Sequence, residues 1–129
     1  MTNRSSLQTF AVAALRFVAG AMFSFHGVQK LFGVLGAPKV EMFTQVWFGG
    51  VIELVCGILV AIGLFTRPAA LLASGTMAVA YFQFNWKFNF DNYQWLPIIN
   101  KGELAVLYCF VFFFFAMHGA GAYSLDQKR

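Results

Sequence analysis

Residues 103–122 read ELAVLYCFVFFFFAMHGAGA, and the stretch Phe110–Met117 inside them is FVFFFFAM. Only a helix that faces lipid or is wholly buried carries so dense a run of phenylalanine. Three further apolar runs precede it, over about 7–28, 46–65 and 69–84. With 60% of 129 residues hydrophobic, about 77 side chains are apolar. Four membrane-crossing helices of about 20 residues each need about 80. Nine basic and five acidic side chains are too few to cover a small soluble domain. Composition therefore predicts an all-α integral membrane four-helix bundle, one domain over residues 1–129, with the lipid bilayer as its surroundings. It argues against a soluble enzyme and excludes intrinsic disorder. The net charge of +4 is spread over both ends and the loops without a basic run, so nucleic acid is not indicated as a partner.

The runs are bounded by polar punctuation. Arg16 interrupts the first run and argues against a cleaved signal peptide. Thr66-Arg67-Pro68 is a tight turn, with proline suited to the first turn of the next helix. Two connections are long, about 29–45 and about 85–102. Residues 82–90, FQFNWKFNF, alternate aromatic and polar, the period of a half-buried strand. A lone strand cannot lie in lipid with its backbone unpaired. The expectation is an extended segment or short hairpin over Phe82–Trp95 at the interface, with Trp86, Phe88, Phe90, Tyr93 and Trp95 in an aromatic belt. Arg4, Arg67, Lys128 and Arg129, with Arg16 just inside, stand against Lys30, Lys39, Lys87 and Lys101 on the other side. Because Arg67 sits in the tightest turn, the balance favours cytoplasmic termini.

Ionisable residues inside spans are costly and face the bundle interior or a water-filled pocket. Arg16, Glu53, Glu103 and His118 qualify, and His26 lies near the end of the first span. Arg16, Gly20, Phe23 and Gly27 share one helix face, as do Gly49, Glu53, Gly57 and Val60. Ala70, Ser74 and Ala78 give the third helix a small face. Close packing along these stripes would bring Arg16 and Glu53 into one interior, as a structural ion pair or as the lining of a small-molecule site. His26, Lys30, Asn100 and Glu103 would gather at the side opposite the termini. Glu103 also suits the positive end of the fourth helix. The histidines and carboxylates have no metal-ligand spacing. Cys56 and Cys109 lie in apolar runs without a CxxC pair and read as small buried hydrophobes. No phosphate-binding glycine loop and no activated nucleophile is present.

Several motifs together resemble the DoxX family of small bacterial four-helix membrane proteins. They are Arg16 with FSFHGVQKLFG (23–33), Gly50-x-x-Glu53 followed by GILVAIGLFTRPAA (57–70), PxxNKGELAVLY (97–108) and HGAGAYSLD (118–126). They cover nearly the whole chain in the family's order. One departure lies after the third helix, where many members carry a histidine and this chain reads FNWKFNF over 84–90. The resemblance implies a bacterial inner-membrane protein with a polar interior at Arg16, Lys30, Glu53 and Glu103. Members of the family include a membrane subunit of a thiosulfate:quinone oxidoreductase and a component of a membrane-associated oxidoreductase complex.

Three functions are compatible with these residues. The first is a small membrane subunit or anchor of a quinone-linked oxidoreductase system, with a quinone head among Arg16, His26, Glu53 and Glu103 in a polar interior that also holds Lys30. The second is a scaffold that docks partner subunits, or further copies of itself, through its long loops. The third is a small permease or metabolite-binding subunit. No catalytic constellation is evident. A quinone site would open sideways between helices, with Arg16, His26 or Glu53 at its inner end and Phe23, Phe25, Met77 and Tyr81 as walls. The alternative is a bundle packed tight around a satisfied polar cluster.

Overall fold

The computed structural model describes residues 2–128, with side chains described from Ser5 to Gln127. Its long helices are α1 (Thr2–Phe32), α2 (Gln45–Ile62), α3 (Thr66–Ala80) and α5 (Glu103–His118), and its short ones α4 (Pro97–Asn100) and α6 (Leu125–Lys128). Every regular element among the described residues is helical, so the chain is all-α. Over Ser5–Phe32 and Gln45–Ile62, α1 and α2 are long and apolar enough to cross a membrane. The apolar α5 has 16 residues.

Local chemistry sets the boundaries. The helix over the first run extends past the expected 7–28, because nothing breaks it before Gly33 at φ 67°. Helix α2 starts at Thr44, whose hydroxyl accepts the Trp47 N–H at 3.2 Å. It stops at Gly63, inside the expected run, in a left-handed cap whose N–H reaches Val60 O at 3.1 Å. The next helix is capped from far along the chain. The Asp126 carboxylate accepts the N–H groups of Phe65 and Thr66, both at 2.9 Å. At the last run, Gly119 and Gly121, both at positive φ, end α5 before the expected residue 122.

The expected extended segment after α3 is not extended. Helix α3 passes without a break into a π-helical turn over Tyr81–Trp86, and no backbone breaker intervenes before Lys87 at φ 58°. The aromatic alternation marks a local cluster instead. Phe82 stacks on Phe88 at 5.6 Å, and Trp86 packs on Phe88 at 5.0 Å and Phe90 at 5.2 Å. Beyond it the chain is irregular, with a 3-10 turn over Asp91–Tyr93. Asn100 fixes this loop. Its Nδ2 donates to Tyr81 Oη at 3.0 Å and to Gln94 O at 2.8 Å, and its Oδ1 accepts the Gly102 N–H at 2.8 Å.

Helices pack in two close pairs, α1 with α2 and α3 with α5, and α2 touches α3 more sparsely. Phe23, Phe112, Phe115 and Val60 fill the centre, with the alanines of α3 against them. Ser74 ties α3 to α5 by donating to Cys109 O at 2.7 Å. Phe17, Phe25, Leu71, Leu107 and Phe110 point outward, so the exterior of the bundle is apolar.

Candidate functional site

The α1–α2 register decides which charges can meet. A side chain at Gly20 would come within 2.5 Å of Ala61 N, and one at Gly27 within 2.5 Å of Leu54 N. At Gly57 it would strike Ser24 N at 2.6 Å. Only glycine lets the two backbones approach this closely. This register puts Arg16 level with Gly63 and Glu53 level with Ser24–Gly27. The offset is about nine residues, or about 13 Å. The expected pairing of Arg16 with Glu53 is therefore not formed.

Each charge has another partner. Arg16, 3% exposed, donates from Nη1 to Ala120 O at 2.7 Å and Ala122 O at 3.1 Å, and from Nη2 to Tyr123 O at 2.8 Å. It holds the segment after α5 against the α2–α3 turn. Arg67 works alongside, donating to Met117 O at 2.6 Å at the carbonyl end of α5. Arg16 and Arg67 thus serve the backbone at the tail end. His118 lies there too, stacked on Phe114 at 5.0 Å.

Glu53, also 3% exposed, pairs with Lys30. Lys30 Nζ lies 2.8 Å from Oε1 and 2.9 Å from Oε2. Only the Oε2 contact has the geometry of a hydrogen bond, so Oε1 is charge-balanced but receives no directed donor. Tyr108, on α5, lies within electrostatic reach of Glu53. Its buried hydroxyl has no hydrogen-bond partner among the described residues. The half-buried His26 meets the Tyr108 ring edge-on at 6.0 Å. Lys30, Glu53, His26 and Tyr108 thus form one polar group near the long-loop end. Glu103, in the first turn of α5, is exposed and stands outside it. Among the described residues no three His, Cys, Asp or Glu side chains gather as a metal site.

Beside this group the thin α2–α3 contact opens into a lateral groove of about 960 Å³. Ile52, Leu71, Leu72, Met77 and Val79 line it, and Lys30 and Glu53 stand at its polar part. Of the expected wall residues it contains Met77. Phe23 instead fills the core, Phe25 points outward, and Tyr81 packs over Gly102. A second hollow, about 710 Å³, lies at the tail end. Its Arg67 and Asp126 are engaged on helix ends.

The sequence profile of the DoxX family matches residues 11–86. The chain belongs to the DoxX family. An uncharacterized protein of Haemophilus influenzae is 39% identical to it over 99% of this chain and 97% of its own length. An uncharacterized membrane protein of Mycobacterium tuberculosis is 35% identical over 47% of this chain and 42% of its own. No solved structure matches. This DoxX chain is accordingly a membrane protein, and its matched region contains Arg16, His26, Lys30 and Glu53.

Two features of this DoxX site escape the sequence reading. The α1 stripe of Arg16, Gly20, Phe23 and Gly27 continues by one more step of three to Lys30, and that step identifies the partner of Glu53. Tyr108 carries no such signal, because within ELAVLYCF it reads as one more aromatic residue. Only the fold turns its hydroxyl into a buried polar group.

Proposed function

We propose that this chain crosses the bacterial inner membrane four times, with cytoplasmic termini, and serves as a quinone-binding subunit of a membrane oxidoreductase system. The observation that carries this reading is the groove between α2 and α3, apolar along most of its walls and lined by the Lys30–Glu53 pair. A lipid-soluble molecule enters between helices, not from water. Its polar head needs a donor held in an otherwise apolar site. The Lys30 ammonium supplies that donor to a ring carbonyl, and Glu53 holds the ammonium in place. The apolar walls exclude water and so strengthen both interactions. The bound quinone supplies a two-electron, two-proton acceptor. Arg16 belongs to the fold in this reading, and Glu103 to the exposed start of α5.

The test is organic extraction and mass spectrometry of protein purified in mild detergent, beside Lys30→Gln and Glu53→Gln variants of confirmed fold. Co-purified quinone is expected in the wild type and reduced at least tenfold in both variants. Wild-type protein devoid of quinone, and unable to bind added decylbenzoquinone, would refute the reading.

A further inference from the structure

Glycine inside a helix weakens it unless a neighbour demands the missing side chain. Gly20, Gly27 and Gly57 meet that demand, since a methyl group at any of them would strike the facing backbone at 2.5–2.6 Å. Gly49 and Gly75 do not. Both lie inside helices, and a Cβ on either would meet nothing within 4 Å. Both line the α2–α3 groove. Gly49 precedes Glu53 by one helical turn and shares its face. Gly75 lies nine residues after the start of α3 at Thr66, and Glu53 nine residues before the end of α2 at Ile62, each about 13 Å from the α2–α3 turn. Gly75 therefore stands at nearly the depth of the carboxylate. Glu53 lines the same groove, and its Oε1 atom is enclosed and without a directed donor.

We propose that Gly49 and Gly75 are specificity-determining residues that form a flat slot for a planar quinone ring, edge-on to the Lys30–Glu53 pair. This rests on the quinone reading above. A side chain on either helix would occupy the volume the ring needs beside the ammonium. With both absent, the ring lies against bare backbone, and its isoprenoid tail runs along Leu71 and Leu72. A flexible acyl chain needs no such slot, because it bends around a methyl group.

The test uses full-length protein in nanodiscs, with decylbenzoquinone and oleate as separate probes, and Gly49→Leu, Gly75→Leu and Gly75→Ala as variants. Since a Cβ at either position meets nothing within 4 Å and opens onto the groove, the variants are expected to keep the wild-type melting temperature, and Gly75→Ala to exceed it. Both leucine variants are expected to bind decylbenzoquinone at least tenfold more weakly, with oleate binding changed less than twofold. Gly75→Ala is expected to fall between wild type and Gly75→Leu. Equal quinone affinity in wild type and leucine variants would overturn the slot while leaving the quinone site standing. Equal losses for both probes would assign the glycines to an acyl chain and also overturn it. Failure of the wild type to bind decylbenzoquinone would remove both readings. If a leucine variant unfolds, Gly75→Ala decides, and an unchanged quinone affinity in it overturns the slot.

Discussion

Lys30 keeps 34% of its side chain exposed while Glu53 keeps 4%, so the two halves of the pair fail differently when broken. Lys30→Gln leaves an enclosed carboxylate without a counter-charge. It is expected to cost about 2–4 kcal/mol, below the full penalty for a wholly buried pair because one partner reaches solvent. Glu53→Gln leaves an amine that can extend outward, at about 1 kcal/mol. The double variant should be less damaged than the sum of the two, read from denaturation midpoints in mixed micelles. The contrasting case is Arg16 with Glu53. About 13 Å apart along the bundle, they share no partner, so Arg16→Gln and Glu53→Gln should add to within about 0.5 kcal/mol. A coupling well above that value would contradict the separate roles described for the two charges.

At the scale of helices, the glycine pairs hold α1 on α2. Gly20→Ala and Gly57→Ala each push a methyl group into opposing backbone, which cannot rotate aside as a side chain does. Each should destabilise the protein by about 1–3 kcal/mol, toward the upper end. Gly75→Ala should instead stabilise by up to about 1 kcal/mol. Thermal denaturation of the three variants checks the opposite signs. The interior stripes were legible in the sequence because glycine and alanine recur at helical spacing beside the charges. The register was not, since it depends on how far α1 extends, and four apolar runs do not say which turn meets which. Gly49 also misled the reading. It shares a face with Glu53, yet Gly50 is the one packed against Lys30 and Leu31, and Gly49 faces the groove. The aromatic alternation after α3 failed for a related reason. Period two records composition, whereas the backbone continues its helix until a residue stops it.

Across the whole molecule, the chain order of helices puts the connections at Gly33–Thr44 and Lys87–Gly102 at one end. The Gly63–Phe65 turn and the tail lie at the other, tied together by Asp126. A membrane-impermeant maleimide applied to intact spheroplasts is expected to label Gly36→Cys and Asn92→Cys, and to label Gln127→Cys only after the membrane is opened. Gly36→Cys labelled on the opposite side from Asn92→Cys would contradict four crossings. The clamp on Arg16 has a consequence for biogenesis. Its carbonyl partners lie 104 to 107 residues downstream. Until Ala120–Tyr123 have been made, Arg16 lacks the three carbonyls that accept from its guanidinium in the folded chain. Translation of Ala120–Tyr123 therefore completes the first helix as much as the last.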